Sequence, residues 1–67
     1  MKTLKTTETK TFGSFQVTPN VRGNRVYFNF VKRGGTACYD LASGEFVPVH
    51  GEVGARAKDW IIENYIQ

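Results

Sequence analysis

The chain has 67 residues, of which 40% are hydrophobic, and nine Lys and Arg residues against six Asp and Glu residues give it a formal net charge of +3 at pH 7. A multidomain enzyme, a doubly wound dinucleotide-binding fold or a barrel needs a much longer chain. Cys38 is the only cysteine, which excludes a disulfide scaffold and a cysteine-rich zinc module. We therefore predict a single domain over residues 1–67, without a metal or other cofactor.

The sequence contains no membrane or export signal. No stretch approaches the roughly 18 consecutive apolar residues of a transmembrane helix. Residues 1–7 are basic and polar, and no apolar segment of a secretory signal follows them. Together with the single cysteine, these features predict a cytoplasmic protein that does not contact the membrane.

The N-terminal third of the chain predicts an arm and one strand. The first ten residues are polar, with four threonines, and offer little surface to bury. We predict that residues 1–10 form a flexible arm or add to the edge of a sheet. Residues 11–18 alternate, with Phe15 and Val17 on one face, which predicts a half-buried strand. Pro19 is expected to end this strand, because proline cannot donate to a sheet ladder.

Residues 25–32 form the clearest strand of the sequence, since they are mainly β-branched and aromatic. Val26, Phe28 and Phe30 share one face. The other face carries Arg25, Tyr27, Asn29, Val31 and Arg33. Gly34 and Gly35 then predict a tight hairpin turn into a return strand over residues 36–41.

The C-terminal third predicts a short strand and a helix. Residues 45–49 follow a turn at residues 42–44, and Pro48 favours an edge position for this strand. Residues 52–66 have helical spacing, with one apolar face formed by Val53, Ala57, Trp60, Ile61 and Tyr65. We predict an α+β fold, a three- or four-stranded antiparallel β-meander with one C-terminal α-helix packed on one face, because each apolar face then buries the other.

A binding surface is expected on the strand face that the helix leaves uncovered. If the helix covers Phe28 and Phe30, the opposite face of the same strand meets the solvent. The predicted partner-binding residues on and beside that face are Arg22, Arg25, Tyr27, Asn29, Lys32 and Arg33. Tyrosine and arginine are frequent anchors of protein interfaces, and they also stack bases and hold phosphates.

Several interpretations of this face stay open. We predict a small non-enzymatic binding protein that occupies a macromolecular surface. It would regulate or inhibit a protein partner with an acidic surface, as accessory proteins of phages or mobile elements do. The alternative is a nucleic-acid-binding domain that uses the same basic and aromatic residues, although a net charge of +3 is modest for that class. A third interpretation is an ordinary solvated face, or one covered by a second layer or a dimer partner.

Residues that could carry catalysis are few. Cys38 and His50 form the only candidate nucleophilic pair, and no third group is evident to orient them. We therefore expect a packing cysteine and a loop histidine, and no enzymatic activity. Asp40 and Glu45 flank a turn and would face one another across it, where we interpret them as solubilising charges.

Two isoleucines extend the apolar face of the predicted helix. Ile62 and Ile66 widen this face beyond what one small sheet needs. They either cap the rim of the core or join a homodimer interface.

Overall fold

A computed structural model of the protein describes residues 2–31, 35–47 and 52–67. Within these residues the elements in chain order are β1 (Lys10–Phe12), β2 (Phe15–Arg22), β3 (Arg25–Phe30), β4 (Gly35–Asp40), β5 (Glu45–Val47), α1 (Glu52–Arg56) and α2 (Lys58–Tyr65). The strands form one antiparallel sheet in the order β1-β2-β3-β4-β5, so that each strand pairs with its neighbours in the chain. The α+β class and the meander are confirmed, and the described sheet has five strands rather than three or four.

The additional strand arises at Gly13, which divides the segment that we predict as one strand over residues 11–18. Gly13 has a φ of +61°, in the left-handed region that glycine enters without steric cost. The chain reverses there, and Phe12 pairs with Phe15 across the turn. The prediction of one continuous strand is wrong. A single glycine with a positive φ is enough for this two-residue turn, and in the sequence such a glycine looks the same as a glycine in the interior of a strand.

Pro19 does not end β2, contrary to the prediction. It is buried and pairs with Phe28 of β3. The Val31 backbone N–H donates to the Gln16 carbonyl oxygen at 3.0 Å, so the backbone of Gln16 faces β3. Backbone groups alternate sides along a strand, which places the nitrogen of Pro19 on the side away from β3. Because β1 pairs with β2 only up to Val17 on that side, the missing N–H costs no ladder hydrogen bond.

The core lies between one face of the sheet and the two helices. Its buried members are Val17, Val26, Phe28, Phe30, Ala37, Tyr39, Ala57, Ile61, Tyr65 and Ile66. Aromatic rings connect the layers, with centroids 5.0 Å apart for Phe28 and Tyr65 and 5.2 Å apart for Phe12 and Trp60. The predicted sidedness of the strand at residues 25–32 is therefore confirmed, since the helices cover Phe28 and Phe30.

The helix predicted over residues 52–66 is divided at Ala57. Its φ of −88° and ψ of 2° interrupt the helix, although hydrogen bonds from the Ala57 N–H to Val53 at 3.0 Å and from the Ile61 N–H to Ala57 at 2.8 Å continue on both sides. Ile66 then leaves α2 in an extended conformation. Neither described helix has the length and apolarity that crossing a membrane requires.

The N-terminal arm lies beside the end of α2. Leu4 forms an antiparallel bridge with Ile66. The Lys5 backbone N–H donates to the Tyr65 carbonyl oxygen at 2.6 Å, and its Nζ donates to the Glu63 carbonyl oxygen at 2.9 Å. Lys5 thus satisfies carbonyl groups that the end of a helix leaves without a partner, and places a positive charge where the helix dipole favours one.

Candidate functional site

The sheet face opposite the helices carries mostly polar side chains, and we call it the outer face. Residues directly paired across neighbouring strands point to the same face, so the strand register fixes its membership. It includes Thr18, Asn20 and Arg22 of β2, Arg25, Tyr27 and Asn29 of β3, Thr36, Cys38 and Asp40 of β4, and Glu45 and Val47 of β5. Four strands therefore build one continuous surface.

An open depression of about 470 Å³ lies on the outer face around the half-buried side chain of Tyr27, and we call it the Tyr27 depression. Its lining residues are Asn20, Arg22, Tyr27, Asn29 and Thr36. Thr36 Oγ1 donates a hydrogen bond to Asn29 Oδ1 at 3.2 Å, which orients the amide group of Asn29. The depression therefore offers an aromatic ring, a guanidinium group, two amides and a hydroxyl within one concave surface.

Only some of the predicted site residues line this depression. Arg22, Tyr27 and Asn29 line it, and Arg25 lies on the same face beside it. Lys32 and Arg33 lie outside the described residues. Sequence reasoning missed Asn20 and Thr36, because only the register that pairs Asn20 with Tyr27 and Asn29 with Thr36 brings them to the site.

Charged side chains of four strands lie side by side at one end of the outer face. Arg22 pairs with Arg25, Arg25 with Asp40, and Asp40 with Glu45. We call Arg22, Arg25, Asp40 and Glu45 the charge row. It has two cations at the β2 side and two anions at the β5 side.

The two central members of the charge row form an ion pair. The Nε atom of Arg25 lies 3.6 Å from Oδ2 of Asp40, and about half of the Arg25 side chain is exposed. The adjacent Tyr27 side chain, and to a smaller extent Asp40, raise the pKa of Arg25 above its usual value. Oδ1 of Asp40 accepts hydrogen bonds from the backbone N–H groups of Ala42 at 2.9 Å and Ser43 at 3.2 Å, which fix this carboxylate.

Cys38 also belongs to the outer face, but its side chain is only 1% exposed. It is paired directly with Tyr27 on one side and Val47 on the other. A small thiol between two larger side chains is shielded even on a surface that faces the solvent. His50, the other member of the candidate nucleophilic pair, lies outside the described residues.

The structure separates the two isoleucines that extend the apolar face of the predicted helix. Ile62 is 43% exposed on α2, whereas Ile66 is 5% exposed and belongs to the core. Of the two isoleucines considered for a homodimer, only Ile62 therefore lies at the surface.

No known protein family, curated protein or solved structure matches this chain. Function must therefore be inferred from the chemistry of the outer face. Its half-buried ring can anchor a partner, its amides and hydroxyl groups can exchange hydrogen bonds, and its charges can select an oppositely charged surface.

Proposed function

We propose that this is a small non-enzymatic binding protein whose outer face docks on an acidic surface of a protein partner and thereby regulates or inhibits that partner. The observation that carries the proposal is the Tyr27 depression. It brings a half-buried aromatic ring together with Arg22 and two amides in one concave surface. Tyrosine and arginine are enriched among the residues that dominate binding energy at protein interfaces.

The fold leaves this surface available for a partner. Both helices pack against the opposite face of the sheet, where Phe28 and Tyr65 are in contact. The ring of Tyr27 is already held partly within the sheet, so binding costs less side-chain entropy than it would for a fully mobile residue. Rows of side chains on adjacent strands surround this depression, and a continuous surface of this kind suits recognition of a folded partner.

The cationic half of the charge row indicates that the partner's binding surface is negatively charged. Arg22 is exposed and Arg25 is half exposed, and both border the Tyr27 depression. Carboxylates on the partner would meet these guanidinium groups, which accelerates association and fixes the orientation of the complex.

A protein partner fits this face better than a nucleic acid does. The charge row continues from Arg22 and Arg25 into Asp40 and Glu45, so carboxylates stand within the same surface. A phosphate backbone that crosses the row meets repulsion at its β5 side, whereas nucleic-acid-binding faces usually carry a dense basic patch. A protein surface can supply cations for one half of the row and anions for the other.

The proposal is tested by capture of partners on three immobilised baits. Wild-type protein, Arg22→Glu and Arg56→Glu are each incubated with lysate of the source cells, in the presence and absence of nuclease. Arg56 is exposed on α1, away from the outer face, and its substitution makes the same change in net charge. Circular dichroism of all three baits verifies the fold.

We expect the wild-type and Arg56→Glu baits to retain the same protein in nuclease-treated lysate, and the Arg22→Glu bait to lose it by about tenfold or more. Equal capture by all three baits would contradict the proposed face. If capture disappears on nuclease treatment and the purified protein binds single-stranded nucleic acid with an affinity that falls steeply with salt, the nucleic-acid alternative replaces the proposal.

A further inference from the structure

The order of charges in the charge row is unfavourable within a single chain. Arg22 lies directly opposite Arg25, and Asp40 lies directly opposite Glu45. Like charges at directly paired positions destabilise a sheet, whereas opposite charges stabilise it. Only the central pair, Arg25 and Asp40, combines opposite charges. An alternating order of positive and negative residues would have stabilised all three pairs. The observed order, with both cations on one side and both anions on the other, points to oppositely charged groups on another molecule.

We propose that the outer face binds a second copy of this chain in a weak, two-fold symmetric dimer. The two outer faces stack on one another, and the symmetry axis lies between them, parallel to the strands and midway between β3 and β4. Rotation about this axis places β2 of each copy opposite β5 of the other, and β3 opposite β4. An interface of this kind uses the same patch on both copies, so each contact occurs twice.

This arrangement makes the charge row complementary to itself. Arg22 of one copy faces Glu45 of the second copy, and Arg25 faces Asp40 of the second copy. Arg22 and Glu45 are both exposed, so they are accessible to the second copy. The Nε atom of Arg25 is directed to Asp40 of its own chain, and about half of the Arg25 side chain remains exposed to the second copy.

The uncharged rows are compatible with the same axis. One row contains Asn20, Tyr27, Cys38 and Val47, from β2 to β5. Rotation places the ring of Tyr27 over Cys38 of the second copy and the amide of Asn20 beside Val47. The next row places Asn29 opposite Thr36, two groups that already form a hydrogen bond within the chain. No like charges meet anywhere among these described rows.

The size of the face indicates that the dimer is weak. Four strands about 4.8 Å apart and rows that span about five residues define a patch of roughly 300–400 Å² per copy. A stable interface needs about 800 Å² per copy, so this contact belongs to the transient class. A second copy would therefore occupy the face at high protein concentration and yield it to a tighter partner. The dimer does not rest on the proposed function, because it follows from the charge row alone.

Complementary charge reversals test the proposal. Arg22→Glu places a carboxylate opposite Glu45 of the second copy, and Glu45→Lys places an amine opposite Arg22 of the second copy, so each variant alone repels itself. In an equimolar mixture, a copy carrying one substitution and a copy carrying the other attract at both symmetric contacts. The matched controls are Arg56→Glu and Glu63→Lys, which make the same charge changes at exposed positions on the helices.

The measurement is sedimentation equilibrium at low salt, over protein concentrations up to about 1 mM, where a transient interface of this size should be populated. We expect the average mass of the wild type and both controls to rise toward twice the monomer mass. Arg22→Glu and Glu45→Lys alone stay monomeric, their mixture recovers the dimer, and about 0.5 M salt dissociates the wild type. A wild type that stays monomeric up to that concentration, or a mixture that stays monomeric while the wild type dimerises, overturns the proposal.

Separate readouts distinguish this inference from the proposed function. Sedimentation of the purified protein measures the dimer, whereas capture on the immobilised baits measures the partner. If the dimer forms and no acidic partner is captured, the proposed function fails alone. If the partner is captured and the wild type never dimerises, only the present inference fails.

Discussion

The hydroxyl group of Tyr65 donates a hydrogen bond to the carbonyl oxygen of Glu8, 2.7 Å away, and the carbonyl oxygen of Val17 lies 3.3 Å from the same hydroxyl. This side chain therefore joins the end of α2, the N-terminal arm and β2 at one point. Its ring is fully buried and lies 5.0 Å from that of Phe28, and Nζ of Lys10 lies 5.6 Å from its centroid. The outer face depends on this junction, because it holds the helices against the other side of the sheet.

Removal of the Tyr65 hydroxyl group should destabilise the protein. We expect Tyr65→Phe to lower the free energy of unfolding by about 1 kcal/mol, since the Glu8 carbonyl group loses its hydrogen-bond donor. Urea unfolding measures this difference. Tyr39→Phe is the control, because Tyr39 is equally buried but its hydroxyl group forms no hydrogen bond with a described residue. Equal losses in the two variants would show that the hydrogen bond does not carry the effect.

Alkaline pH should weaken the fold through the same buried tyrosines. Burial raises the pKa values of Tyr65 and Tyr39 above the usual value of about 10, because the phenolate form is poorly solvated in the core. In the unfolded chain both groups ionise near their usual pKa. Their contribution to stability is therefore complete below about pH 10 and is lost as the pH rises through the raised pKa values of the folded state.

The free energy of unfolding, measured by urea titration between about pH 8 and pH 12, should be flat at first and then fall. The variant that carries both Tyr65→Phe and Tyr39→Phe should lose less stability over the upper part of this range than the wild type does. An identical decline in the two proteins would assign the effect to other groups, such as lysines that lose their charge.

The sequence predicted those features that depend on a single strand. The alternation of residues 25–30 was sufficient to separate the buried Phe28 and Phe30 from the exposed Arg25 and Asn29. Features that depend on two strands were not accessible in the same way. The charge row requires the register that pairs Arg22 with Arg25 and Asp40 with Glu45, and of these pairings the sequence suggested only that of Asp40 with Glu45 across a tight turn.

Local turn chemistry limited the prediction for a different reason. Gly13 has neighbours that are compatible with a strand, and only its positive φ distinguishes the hairpin from a continuous strand. At Pro19 the sequence predicted the end of a strand that in fact continues. The missing N–H of proline interrupts a sheet only on a side where a neighbouring strand would accept a hydrogen bond from it. The outcome at Gly13 depends on its backbone conformation and that at Pro19 on its tertiary position, neither of which follows from residue identity alone.

The turn at Gly13 gives a prediction about backbone conformation alone. A Cβ atom at this position would meet no atom within 4 Å, so alanine is disfavoured only by the φ of +61°. We expect Gly13→Ala to lower the free energy of unfolding by about 1 kcal/mol. Gly13→Asn should cost less, because asparagine tolerates the left-handed region better. Urea unfolding of both variants is the measurement, and an alanine variant as stable as the wild type would refute the conformational explanation.

The thiol group of Cys38 should be unreactive in the native protein, although it lies on the outer face. It is 1% exposed between Tyr27 and Val47, so a thiol reagent reaches it only when the sheet opens locally. We expect labelling by an aromatic disulfide reagent to be at least about 100-fold slower in the native protein than in urea. Tyr27→Ala should accelerate native labelling, because it removes one of the two flanking side chains, whereas Ile62→Ala on α2 should leave the rate unchanged. A wild-type thiol that reacts as rapidly as a free cysteine, or equal rates in both variants, would show that Tyr27 does not shield Cys38.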